Sequence, residues 1–456
     1  MHSQSSMQHA RMKIIAGVIL MCVASGASAT TTLIGGGDTL PAVGYTANQT
    51  VPAPFTPITP GMGSLFLVYS TASGNPVTYC PSGGLTGKRI LAGNDLTHFD
   101  VNAVCKNTVP NIQGFGGVGL SQPHFAAADA PLAVSEFNNY VAGHGAGTQP
   151  VQLPSVVGAI GIVFKKTGVT SMTLTEGQIC GIFSGQISSW SDASLAGSVP
   201  AGLTGPITVV FQKDGSGTSF AFLNHLSAVC PSNVLPGKVA ATAFKTSQNF
   251  SGNDFFGNPT GASAYVSAYA LSSPLGGADG DPGVISTVNA TEGSIGYAEV
   301  SNAVVGPAKV ASVRNSHSTV VVNPITGFGP TAIPVSVVYD QALSDSVTVA
   351  SGAVLGGRPI PVALTTTSHC IAMVKPDDYA DPATGYPMLA VTYLLANAQG
   401  NGADVAAVRG LMFSPYNTVS RPSVTRIGRI TTGYAWLSNA DLTNTTGLSK
   451  VNSCIN

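Results

Sequence analysis

Ile207-Thr208-Val209-Val210-Phe211-Gln212-Lys213-Asp214-Gly215-Ser216-Gly217-Thr218-Ser219, followed by Phe220, Leu223 and Leu226, decides how this chain is read. Ile207–Phe211 predicts a buried strand, the glycines a tight turn, and Ser219–Ser227 an amphipathic helix. Phe220, Leu223 and Leu226 recur at three-residue spacing and share one face. The turn would leave free backbone N–H groups at the helix start, beside the hydroxyls of Ser216 and Thr218. Such a cluster carries positive partial charge and suits an oxyanion. Taken alone, the turn is equally a strand-to-helix connection with a Ser or Thr N-cap.

Outward from this unit, residues 153 to 295 keep the same alternation. Val156–Lys165 predicts a strand, and Thr175–Phe183 a short helix with Thr175 as N-cap. Gly283–Asn289 predicts a helix and Ser294–Glu299 a strand. Strands alternating with helices indicate an α/β domain with a largely parallel sheet. Before this region, Ser64–Ser70, Lys88–Leu91 and His124–Ala127 read as strand-like runs. After it come strands Lys309–Val313, Thr319–Val322 and Pro334–Tyr339, then a helix over Tyr386–Ala396. The Gly- and Asp-rich stretch Ser272–Pro282 reads as a loop.

The chain opens with His9, Arg11 and Lys13, an apolar run from Ile14 to Val23, and the small residues Ala27-Ser28-Ala29. That is the layout of a secretory signal peptide over residues 1–29. The protein is therefore expected in the periplasm or outside the cell, with no membrane anchor. Charged residues are 9% of the chain and the net charge is −1, against about a quarter charged in average proteins. No basic footprint for nucleic acid exists. Besides Cys22 in the apolar run, the cysteines are Cys80, Cys105, Cys180, Cys230, Cys370 and Cys454. An even number in an exported chain argues for disulfides. Nearest-neighbour pairing would give Cys80–Cys105, Cys180–Cys230 and Cys370–Cys454, although six cysteines leave other pairings open. No CxxC, HExxH or GxSxG pattern marks a metal or nucleophile site, and no cofactor is expected.

Several motifs together resemble a known family. Gly35-Gly36-Gly37-Asp38-Thr39-Leu40-Pro41 resembles the first phosphate-binding loop of the phosphate-binding proteins of phosphate ABC transporters, and more closely that of their DING relatives. Asp129-Ala130-Pro131-Leu132 resembles the second loop, and Asp214-Gly215-Ser216-Gly217-Thr218 the third. Gly293–Glu299 is similar to the return segment between domains, and Tyr386-Pro387 to a late family motif. The run from Gln152 through Gly185 to Trp190 is similar to DING proteins almost throughout.

The resemblance implies a type II periplasmic binding protein, an α/β fold of two lobes joined by crossover strands around a central ligand cleft. Lobe one would be residues 30–152 and 297–456, lobe two 153–296. It implies inorganic phosphate or a related oxyanion as ligand, an ABC permease as partner, and a monomer. Thr39 and Leu40 would donate from the first loop, and Ser216, Gly217 and Thr218 from the third. Asp129 would accept the proton that phosphate carries and sulfate lacks; its other reading is a turn cap before Pro131. Ser73 resembles a further ligand, with Ser70 as rival. The family's arginine is replaced by Gln212, which donates through its amide but brings no charge. Neighbouring Lys213 should point to the opposite face. Asp38 replaces a small residue and adds negative charge beside the site. A secreted DING-type phosphatase, or an adhesion protein whose ligand site has decayed, are the alternatives.

Overall fold

Among the described residues, ten strands build the main sheet: β1 (Leu33–Gly37), β2 (Val77–Pro81), β3 (Phe125–Ala128), β4 (Pro150–Lys165), β5 (Thr208–Val210), β6 (Ser294–Glu299), β7 (Lys309–Val310), β8 (Ile333–Pro334), β9 (Leu389–Asn397) and β10 (Tyr434–Ser438). The computed structural model describes residues 30–51, 54–97, 99–106, 113–242, 244, 246, 277–305, 308–328, 332–348, 358–429 and 432–456. The expected signal peptide, residues 1–29, lies outside them. Residues 31–456 form one unit.

The sheet is organised by β4. Its sixteen residues are buried except Lys165, so its sequence reads as a continuous apolar run rather than an alternation. Along its first part it pairs antiparallel with β9, from Pro150 opposite Asn397 to Ala159 opposite Leu389. From Ile160 opposite Glu299 to Lys165 opposite Ser294 it pairs instead with β6. The partner changes between Ala159 and Ile160. Pro154 cannot donate to the ladder, and the β4–β9 register slips beside it, leaving Ser155 as the extra residue. The Ser155 hydroxyl is used instead, donating to the Thr392 carbonyl at 3.0 Å.

On the β9 side the order is β8–β10–β4–β9–β3–β1–β2. There β1 lies parallel between β2 and β3, and Tyr45, Phe66, Tyr79 and Phe125 pack ring to ring beneath it. On the other side β6 pairs parallel with β5, over Phe183, Phe222 and Tyr297. Disulfides join Cys80 to Cys105, Cys180 to Cys230, and Cys370 to Cys454.

Three segments differ from the sequence reading. Ser64–Ser70 is not a strand: Leu65–Ser73 is a helix with Ser64 as N-cap and Gly74 as left-handed C-cap. Lys88–Leu91 lies inside the helix Gly84–Ala92. Tyr386–Ala396 is not a helix: Leu389–Asn397 is the central strand β9, buried on both faces. Such a strand shows no two-residue alternation, which is why its pattern passed for a buried helix. Of the expected Ser272–Pro282 loop, residues 272–276 lie outside the described residues, and its end is taken into a helix over Gly280–Ala290.

Candidate functional site

The three expected loops, and a fourth after β2, each sit at the C-terminal end of a strand and lead into a helix. Asp38-Thr39-Leu40 follows β1, Ser82-Gly83 follows β2, Asp129 follows β3, and Phe211–Ser216 follows β5. Ligands in α/β sheets bind at such strand ends. Ser216 caps the helix Gly217–Val229, its Oγ accepting the N–H groups of Thr218 at 3.1 Å and Ser219 at 3.4 Å.

These loops meet at one carboxylate. The N–H groups of Asp129 and Gly217 both donate to Asp38 Oδ2 at 3.1 Å. The Thr39 N–H donates to Asp38 Oδ1 at 3.2 Å. A second carboxylate bridges the hydroxyls: Asp281 Oδ2 accepts from Thr39 Oγ1 at 3.0 Å and Thr218 Oγ1 at 3.2 Å. Asp281 Oδ1 takes the Glu299 N–H at 3.0 Å. Asp129 Oδ1 accepts the Thr392 hydroxyl at 2.5 Å, while its Oδ2 is buried without a partner.

The expected residues divide accordingly. Thr39, Asp129, Gly217 and Thr218 come together around Asp38 and Asp281. Leu40 is buried beside them, its carbonyl accepting the Tyr434 hydroxyl. Gln212 is fully buried; its Oε1 accepts the hydroxyls of Ser216 and, at 3.3 Å, Ser219, and its Nε2 has no partner. Lys213 points the other way, exposed and paired with Asp279 at 3.0 Å. Ser73 is the exception: it is exposed at the end of the helix Leu65–Ser73, and its Oγ accepts the Asn75 N–H at 3.1 Å. Its rival Ser70 donates to the Phe66 carbonyl within the same helix.

Three residues of the site were not singled out from sequence. Ser82 is buried with an unpartnered Oγ, in the turn before the helix Gly84–Ala92. Its signal was the run Ser82-Gly83-Gly84 after a strand, hidden once Lys88–Leu91 was read as strand. Asp281 fell in the predicted loop. Glu299 was read only as a strand end; its carboxylate accepts from Ser301 Oγ and Asn302 Nδ2, both at 2.5 Å.

The carboxyls share one electrostatic environment. Burial pushes the Asp38 carboxyl above the ordinary carboxylate range, opposed first by its contact with the Asp129 carboxyl and then by the N–H groups it accepts. Burial, then the charge of Asp38, hold Asp129 well above that range. Burial raises Asp281 to about 6 and Asp214 to about 7. Glu299 is driven well up by burial and by Asp281. The arrangement is thus a set of neutral N–H and O–H donors interleaved with carboxyls that hold protons readily, which suits a guest that itself carries protons.

A family model described as a PBP superfamily domain matches residues 55–354. Alkaline phosphatase L of Pseudomonas aeruginosa is 30% identical over 326 residues, covering 70% of this chain and 69% of that protein. Phosphate-binding protein PstS 3 of Mycobacterium leprae is 30% identical over 337 residues, covering 70% of this chain and 75% of that one. Among solved structures, a high-affinity periplasmic phosphate-binding protein (PfluDING) bound with phosphate aligns with a TM-score of 0.55 at 24% identity, over 93% of each chain. A phosphate-binding protein from Stenotrophomonas maltophilia aligns with a TM-score of 0.53 at 24% identity, over 90% of this chain and 91% of that one. With these two the chain shares its fold.

Proposed function

The chain belongs to the PBP superfamily, and from that membership we propose that it is an exported phosphate-binding protein that hands its anion to an ABC permease. The observation that carries this reading is the convergence of the Thr39, Asp129 and Gly217 N–H groups on a single carboxylate. Donors that gather around one internal anion are placed to gather around an external one. A phosphate in their midst would receive the hydroxyls of Thr39 and Thr218, the Gln212 amide and the start of the helix Gly217–Val229. Asp129 Oδ2 would accept the phosphate O–H, a contact that sulfate cannot make, and an unmade bond at a buried polar site discriminates strongly. The lobes, residues 30–152 with 297–456 and residues 153–296, would meet along β4 and close by hinge motion. The opening segment would direct export and then be removed.

Isothermal titration tests this reading. Phosphate should bind and sulfate should not. Thr218→Val removes one hydrogen bond to a charged guest, an interaction of about 1.5–3 kcal/mol, and should weaken phosphate by roughly tenfold or more. Absence of heat with phosphate at about millimolar concentration, far above the affinity of a transport receptor, rejects it.

Likeness to Alkaline phosphatase L favours a second reading, a secreted phosphatase. Asp214, pushed up to about 7 by burial, would be poised to move a proton near neutral pH. Turnover of p-nitrophenyl phosphate that is lost in Asp214→Asn supports the enzyme. No turnover by the purified protein removes it.

A further inference from the structure

The donors that a phosphate would use already have partners. Asp38 holds the N–H groups of Thr39, Asp129 and Gly217, and Asp281 holds the hydroxyls of Thr39 and Thr218. The carboxylate of Asp38 is seated so closely that a Cβ built on Gly84 or Gly217 would lie 2.3 or 2.4 Å from its Oδ2. In the turns that follow β2, β3 and β5, the buried atoms Ser82 Oγ, Asp129 Oδ2 and Gln212 Nε2 have no hydrogen-bond partner, and the Asp129 carboxyl lies against that of Asp38. One acceptor and two donors are thus left over in a site whose remaining donors are taken by the chain's own acids.

We propose that Asp38 and Asp281 determine which protonation state of phosphate enters, so that the site takes the monobasic anion in preference to the dibasic one. This rests on the phosphate reading above and deepens it. The number of protons available decides between the two anions. An ionised carboxylate is an acceptor only, and so is an unprotonated phosphate oxygen. Two such oxygens attract each other only if a proton lies between them. Phosphate among these donors would meet three carboxyl groups, those of Asp38, Asp129 and Asp281. Dibasic phosphate brings one proton, so two of the three contacts must be completed by protons from solvent or by ones the raised carboxyls already hold. Monobasic phosphate brings two, and the last contact is completed by one proton taken from solvent. Entry is therefore coupled to proton uptake.

Nothing facing these groups relieves the demand. Asp38 faces Asp129, Asp281, Asp214 and Glu299, and the Tyr79 hydroxyl donates to its main-chain carbonyl. Asp281 faces Asp38 and Glu299. The lysine beside the third loop, Lys213, is exposed and paired with Asp279. Burial raises both Asp38 and Asp281, the latter to about 6, which puts the required protons within reach just below neutral pH.

The test is calorimetric titration of the protein with inorganic phosphate at about pH 5.5, about pH 7 and about pH 8.5, on the natural chain and on Asp281→Asn and Asp38→Asn. Each linked proton should cost about tenfold in affinity per pH unit. The natural chain should therefore bind far more tightly at about pH 5.5 than at about pH 8.5. Asp281→Asn, which keeps the shape and adds an N–H donor, should flatten this slope and bind more tightly than the natural chain at the highest pH. Asp38→Asn should do the same and guards against a folding defect in the other variant. Equal affinity across the range, or variants that keep the full slope, overturn the proposal while leaving phosphate binding intact. Silence from all three proteins at every pH overturns both.

Discussion

Asp38 is the residue on which the site turns. A small side chain at this position would leave the N–H groups of Asp129 and Gly217 directed at open space; the aspartate fills that space with charge of the ligand's own sign. Its carboxylate is accommodated because the backbone approaches at Gly84 and Gly217, where any side chain would overlap it. Gly217→Ala should therefore destabilise by about 1–3 kcal/mol, seen as a lowered midpoint in urea. An unchanged midpoint would mean that Asp38 and Asp129, whose Cβ lies equally close at 2.4 Å, both move aside freely. Thr39, Gly217 and Thr218 follow strands at glycine-rich turns, and the structure brings them together with Asp129, which the sequence marked through its resemblance to a family loop. Ser73, marked only by its resemblance to a family ligand, lies apart from them in the last turn of a helix. Asp281 was illegible because its partners, Thr39 and Thr218, are 242 and 63 residues away.

Among the elements, the helix Gly217–Val229 depends on its first turn. Ser216 accepts two N–H groups there while donating to Gln212. Ser216→Ala should cost about 1 kcal/mol through the lost cap, measurable by chemical denaturation, and should also loosen the Gln212 side chain. A variant as stable as the natural protein would show that the cap is dispensable. The strand–turn–helix unit was legible because its signals are local: a β-branched run, two glycines and a hydroxyl cap. Elements without local contrast were not. Leu65–Tyr69 is rich in β-formers, and only the Ser64 cap and the positive-φ Gly74 make it a helix. β9 is buried on both sides, so neither the helical nor the strand period appears in its sequence.

For the whole molecule, one strand and one bridge hold distant segments together. β4 carries β9 and β10 along one part and β6 and β7 along the other. The Cys370–Cys454 disulfide closes a separation of 84 residues. Its reduction should cost about 2–4 kcal/mol, read as a lower thermal midpoint in the presence of reductant. The buried acids should also make stability depend on pH. Burial raises Asp281 to about 6 and Asp214 to about 7, against about 3.9 for a free carboxyl. Between those limits the folded state binds more protons than the unfolded one, so stability falls as pH rises through them. His225, whose pKa burial lowers, works against this only below its unfolded value. Denaturation midpoints should thus be higher at about pH 5.5 than at about pH 8; the reverse order would show that these carboxyls stay ionised in the fold. The sheet, expected to be largely parallel, is mixed, since β4 runs antiparallel to β6, β7, β9 and β10. The α/β class and the long buried strand were readable from the alternation of strands and helices. The switch of partners along β4 was not, since it is decided by which distant strands reach each half.

A crystal structure of the protein grown with phosphate at acidic pH decides whether the converging loops hold the anion. A tetrahedral anion is expected within hydrogen-bond reach of Thr39 Oγ1, Thr218 Oγ1, the Gly217 N–H and Asp129 Oδ2, with Asp38 and Asp281 no longer holding those donors. Phosphate bound elsewhere, or a site still closed on Asp38 and Asp281 in saturating phosphate, would contradict it.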